Sequence, residues 1–116
     1  MQISGKTRIV GIIGWPVEHS LSPPMQNAAI SQLGLDWTYI AMPVKPDDLE
    51  NAVTGAQSQG FIGLNCTLPH KEPLLELIDT PDPAARLIGA VNTLHFTNRG
   101  ILGYNTDTAG YVETVR

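Results

Sequence analysis

The chain has 116 residues, of which 42% are hydrophobic and 16% charged, and its net charge is −4. That length fits one domain that buries about two-thirds of the surface its unfolded chain exposes, and the composition is that of a folded rather than a disordered protein. The acidic balance, without any cluster of Lys and Arg, argues against a nucleic-acid surface. Cys66 is alone, so no intrachain disulfide can form, and no Cys/His set has metal-ligand spacing. No apolar run is long enough to cross a bilayer. The N-terminus does not have the composition of a signal peptide, so a reducing cytoplasm is the expected compartment.

In chain order, residues 8–14 (RIVGIIG) form an apolar run closed by Trp15-Pro16 and are predicted to be a central strand. Pro23-Pro24 open a helix in which Met25, Ala28, Ala29 and Leu33 recur at helical spacing, with Gly34 as its stop. Residues 36–42 (DWTYIAM) read as a strand ending at Pro43. A second helix is expected over residues 46–58, with Asp47 and Asp48 favourably placed in its first turn. Residues 60–66 give a third strand, residues 69–78 a third helix and residues 83–88 a shorter one.

Residues 92–96 and 101–105 are expected to pair as a hairpin around Thr97-Asn98-Arg99-Gly100. Residues 107–116 look helical. This alternation predicts an α/β domain of three layers, αβα, with a mostly parallel sheet and an antiparallel hairpin at one side. The hairpin register puts Asn92 opposite residues 105–106, at the same end as Asp107. Ligands bind at the carboxyl ends of strands in such sheets. Gly14, Asn65 and Asn105 all lie there, so the polar motifs are expected to converge on one rim.

Four motifs could carry chemistry. In Ser20-Leu21-Ser22-Pro23-Pro24, each proline biases its predecessor toward extended geometry, so Ser20 and Ser22 would present two hydroxyls on one side. Ser22 would also be the helix N-cap, and two hydroxyls at a helix N-terminus suit a carboxylate. The plainer alternative is a capping Ser22 beside a solvated Ser20. In Asn65-Cys66-Thr67-Leu68-Pro69-His70-Lys71, Pro69 fits a first helical turn. Lys71 would then sit near the positive end of the helix dipole, unfavourable for a cation by about 0.3–1 kcal/mol. Either that placement serves a function or Lys71 is simply solvated.

Gly89-Ala90-Val91-Asn92-Thr93 and Gly103-Tyr104-Asn105-Thr106-Asp107 add asparagines, which donate and accept at once and so suit a polyol. Asp107 either caps the last helix or, if it approaches Lys71, orients that lysine for proton transfer. Cys66 is expected to pack as a small hydrophobe, His19 to be structural or half-exposed, and Trp15 and Trp37 to be core or rim aromatics. Neither a Gly-x-Gly-x-x-Gly nor a Tyr-x-x-x-Lys pattern occurs.

Together, Ser20-Leu21-Ser22-Pro23, the segment from Asn65 to Lys71, Gly89-Ala90-Val91-Asn92-Thr93-Leu94 and Asn105-Thr106-Asp107 resemble the N-terminal substrate domain of the shikimate dehydrogenase family, in order and spacing, across essentially the whole chain. The resemblance implies an oxidoreductase of aromatic amino-acid biosynthesis that reduces 3-dehydroshikimate to shikimate. Ser20 and Ser22 would hold the substrate carboxylate, Asn65, Thr67, Asn92 and Asp107 the ring hydroxyls, and Lys71 with Asp107 the catalytic proton. It also implies NADP as cofactor, bound mainly by a C-terminal Rossmann domain outside residues 1–116, so that this chain alone would not turn over. A homodimer is compatible with it; nucleic acid, membrane and metal are not called for. Gln26, Cys66 and Thr108 depart from the family's usual His, Val and Gly. The remaining readings are a stand-alone domain that binds shikimate or quinate without turnover, and a dehydrogenase acting on quinate or an amino-shikimate.

Overall fold

The computed structural model describes residues 2–67 and 73–106. Its centre is β1 (Arg8–Gly14), whose residues from Val10 onward are all buried. Both faces of the strand are covered, which is why the run is continuously apolar rather than alternating. Strand β2 (Trp37–Pro43) pairs parallel with one side of β1, and β3 (Gly63–Cys66) pairs parallel with the other. Strand β5 (Thr93–Thr97) runs antiparallel to β3, and β6 (Gly100–Tyr104) antiparallel to β5. A two-residue strand β4 (Thr80–Pro81) pairs parallel with β6, and the sheet order is β2-β1-β3-β5-β6-β4. The expected three-layer α/β architecture with a mostly parallel sheet is the one found.

Two apolar clusters lie on opposite faces of the sheet. Val10, Ile12 and Tyr39 pack with Ile30 of α1 (Ser22–Gln32), whereas Ile13, Leu64 and Leu94 pack with Leu49 and Val53 of α2 (Leu49–Ser58). Each fully buried aliphatic side chain contributes about 1.5–3 kcal/mol relative to exposure. The chain leaves β1 for β2 on one side and returns past it to β3 on the other, so right-handed crossovers put α1 and α2 on opposite faces. This reversal creates a switch point between the carboxyl ends of β1 and β3.

Several local expectations are corrected. Leu21, not Ser22, is the N-cap of α1, with φ −89° and ψ −1°, and Ser22 is already helical. The first turn needs no backbone donors, so Pro23 and Pro24 fit inside it and their bias on the preceding residues is overridden. Met25 is 64% exposed and Leu33 caps the C-terminus, while Ile30 is the buried residue of α1. Gly34 does end the helix: at φ +70° it lets Leu35 N–H reach the Ile30 carbonyl (3.2 Å) and its own N–H reach that of Ser31 (3.1 Å).

The second helix opens as a 3₁₀ turn over Pro46–Asp48. Of the expected helix over 69–78, the described part is a 3₁₀ turn, Pro73–Glu76, with Leu77 N–H bonded to the Leu74 carbonyl (2.9 Å). Strand β4 (Thr80–Pro81) was not anticipated. Two residues carry no readable period, and the pairing with β6 comes from tertiary contact. The short helix α3 (Pro83–Ile88) is capped by Asp82, whose carboxylate accepts from Ala85 N–H (2.9 Å). Lys71, Asp107 and the helix expected over 107–116 lie outside the described residues. Among the described residues no helix is long and apolar enough to cross a membrane, and no group of three His, Cys, Asp or Glu could hold a metal ion.

Candidate functional site

The loop after β1 turns back through a Ser20 N–H bond to the Val17 carbonyl (3.1 Å) and feeds directly into α1. Ser20 Oγ then accepts from Ser22 N–H (3.1 Å), so Ser20, rather than Ser22, supplies a side-chain acceptor at the start of α1. On the other side of the switch point, Thr67 N–H donates to the Ile13 carbonyl (3.0 Å) and carries β3 one step further along β1. Between them lies a cavity of about 340 Å³ lined by Ile12, Val17, His19, Ser20, Ser22 and Thr67. The positive end of the α1 dipole borders it, which suits an anionic group. Ser20 and Ser22 therefore do face one cavity, but through a turn rather than an extended segment. At the rim, Trp15 carries the Lys45 ammonium 5.7 Å above its ring.

A second group of polar side chains extends along the same rim. Asn65 and Thr93 are register partners across β3 and β5, and Asn65 Nδ2 donates to Thr93 Oγ1 (3.1 Å). Thr93 is fully buried and donates to Asn92 Oδ1 (2.9 Å). Asn92 Oδ1 also accepts from Thr106 N–H (2.8 Å), and Asn92 Nδ2 donates to Asn105 Oδ1 (3.4 Å). The hairpin register supplies this end: Asn92 N–H bonds to the Tyr104 carbonyl (3.0 Å), so Asn92 falls opposite Asn105 as expected.

Tyr39 joins the two groups. Its hydroxyl donates to Asn65 Oδ1 at 2.6 Å and is hydrogen-bonded by Ser22. Burial disfavours the phenolate and raises the Tyr39 pKa well above its ordinary value, an effect the Ser22 bond offsets only in part. Tyr39 is thus a fixed neutral donor. Its backbone is clamped as well: Asn27 Nδ2 donates to the Tyr39 carbonyl and Asn27 Oδ1 accepts from Tyr39 N–H, both at 2.9 Å.

Of the residues expected in the site, Ser20, Ser22 and Thr67 line one cavity, and Asn65 and Asn92 belong to one network linked to it through Tyr39. Lys71 and Asp107 are not among the described residues. Tyr39, Thr93 and Thr106 carry no site role in the sequence reading, whereas Asn105 belongs there to a motif suited to a polyol without being named as a substrate ligand. Thr93 was recoverable from the two-residue period of β5 once its register with Asn65 is known. Tyr39 reads as an ordinary strand aromatic until the sheet order is known.

This is an α/β domain with a cavity beside the N-terminus of α1 and a neighbouring hydroxyl- and amide-rich network at its switch point. The sequence profile of the shikimate dehydrogenase substrate binding domain matches residues 12–94, and the chain belongs to that family. It is 51% identical over 115 residues to the shikimate dehydrogenase (NADP(+)) of Geobacter metallireducens, covering 99% of this chain and 40% of that protein. Among solved structures, the shikimate 5-dehydrogenase of Listeria monocytogenes in complex with shikimate and NAD superposes with a TM-score of 0.89 at 37% identity, covering 99% of this chain and 40% of that one. The 5-ketofructose reductase of a Gluconobacter strain superposes at 0.86 with 36% identity, covering 90% and 38%. The chain therefore spans about 40% of the length of the curated relatives it matches.

Proposed function

We propose that this chain is the substrate-binding and proton-handling part of an NADP-dependent shikimate dehydrogenase that reduces 3-dehydroshikimate to shikimate. The observation that carries this reading is the cavity lined by Ser20 and Ser22 at the N-terminus of α1, coupled through Tyr39 to the Asn65–Thr93–Asn92 network. One end suits a carboxylate and the other suits ring hydroxyls, which is the polarity of a polyhydroxylated ring acid. Thr67 lies at the join. NADPH, held by a further domain, would supply the hydride to the ring carbonyl carbon.

Lys71 and Asp107 keep the roles that the motif match implies. The Lys71 ammonium gives its proton to the oxygen that becomes the 3-hydroxyl, and the Asp107 carboxylate orients Lys71 and holds its charge. Orientation by Ser20, Ser22, Asn65, Thr67 and Asn92 would present the carbonyl face to the hydride. Without the cofactor domain the chain binds but does not turn over.

Titrating the chain with shikimate and with shikimate methyl ester tests the carboxylate end. Shikimate should bind at least about tenfold more tightly, as expected for losing a charge-assisted hydrogen bond. Equal affinity for the two would overturn the assignment of Ser20 and Ser22.

A further inference from the structure

The hydrogen-bond directions in the network determine what Asn65 can offer a ligand. Asn65 Nδ2 faces the Asn92 carbonyl (3.4 Å), which can only accept, so the amide nitrogen and oxygen cannot be exchanged. Both amide protons are then committed inside the protein, one to Thr93 Oγ1 (3.1 Å) and one to that carbonyl. Asn65 Oδ1 takes one proton from Tyr39 (2.6 Å) and keeps its second lone pair. A hydroxyl has one proton and two lone pairs. Thr93 accepts from Asn65 (3.1 Å) and lies within donating distance of both Asn92 Oδ1 (2.9 Å) and Thr106 Oγ1 (2.9 Å), and the Thr106 hydroxyl in turn reaches Asn92 Oδ1 (3.2 Å), so either arrangement of these protons leaves Thr93 an acceptor for Asn65.

Resting on the proposed reading of this site, we infer that Thr93 is a positioning residue that locks Asn65 as a hydrogen-bond acceptor, so that the substrate position facing Asn65 must be a hydroxyl that donates and not a carbonyl or ether oxygen. Thr93 touches no ligand in this scheme. It acts through Asn65 and Asn92, the two side chains it holds.

The test is a titration of the chain and its Thr93→Ser and Thr93→Val variants with shikimate and with the three analogues in which one ring hydroxyl is replaced by fluorine, which accepts but does not donate. The wild-type chain should lose at least about tenfold in affinity for one of the three analogues. Thr93→Ser should keep that ratio. Thr93→Val leaves the Asn65 amide nitrogen held only by its 3.4 Å contact to the Asn92 carbonyl, which loosens the amide, so the ratio should fall below about threefold while shikimate itself binds more weakly. An unchanged ratio in a folded Thr93→Val would overturn the inference. A wild-type chain that binds shikimate but discriminates none of the analogues would also overturn it, and one that binds no shikimate would instead overturn the reading of the site. If Thr93→Val fails to fold, the wild-type side-chain amide protons of Asn65 decide the matter. They should exchange slowly with solvent before shikimate is added and stay so after. Fast exchange that slows only with ligand would contradict the lock.

Discussion

The hydroxyl of Tyr39 and the side-chain oxygen of Asn65 meet at 2.6 Å across β1, which lies between the strands that carry them. This contact connects the cavity beside α1 to the polar end of the hairpin. Removing the hydroxyl with Tyr39→Phe leaves the ring in its buried place but deletes the bond to Asn65 and the interaction with the Ser22 side chain. Stability should fall by about 1–2 kcal/mol in a denaturant titration, and shikimate affinity by several-fold. A Tyr39→Phe chain as tight for shikimate as wild type would show that the contact is purely structural.

Ser20 and Ser22 should separate in their effects although they stand two residues apart. Ser20 Oγ satisfies the Ser22 backbone N–H at the start of α1. Ser20→Ala should therefore cost about 0.5–2 kcal/mol of stability, as loss of a capping oxygen does. Ser22 makes no capping bond, and its side chain interacts with the Tyr39 hydroxyl. Ser22→Ala should lower shikimate affinity with a smaller loss of stability. The comparison needs only thermal unfolding and one ligand titration on each variant.

The order of elements was legible in the sequence because apolar period and Gly/Pro punctuation are local signals. β1 is a continuous apolar run bounded by Trp15-Pro16, and Gly34 stops α1. The convergence of Ser20, Ser22, Asn65, Thr67 and Asn92 on one rim followed from the rule that parallel strands end together. What could not be read was set by non-local contact. β4 exists because Thr80 and Pro81 lie beside β6, and Tyr39 joins the site because β2 folds next to β1. The exposed Met25 failed expectation because α1 packs on the sheet chiefly through Ile30, a choice its small residues do not announce. Ser22 as N-cap failed because the prolines fit within the first turn.

His95 gives the chain a pH dependence of known sign. Desolvation by burial lowers its pKa below that of the unfolded chain. Between the two values the unfolded state binds the extra proton, so stability is full above the unfolded pKa, near 6.5, and declines as pH falls through the window down to the folded value. His95→Gln should reduce the loss of melting temperature between pH 7.5 and pH 5. The same loss in both proteins would remove His95 from the account.

Lys71 is expected to act on chemistry rather than on binding. In a full-length protein that carries an NADP-binding domain, Lys71→Ala should lower kcat by about 10²–10⁴-fold, the usual contribution of a general acid. The KM for shikimate should change far less. A rise in KM with kcat preserved would make Lys71 a binding residue only.

The most direct test of the central claim is a shikimate titration of the isotope-labelled chain followed through its backbone and side-chain amide signals. The account predicts saturable shifts grouped on Ser20, Ser22, Asn65, Thr67 and Asn92, with the α2 face of the sheet, including Val53 and Leu64, unmoved. Shifts confined to other surfaces, or none at saturating shikimate in a folded chain, would contradict it.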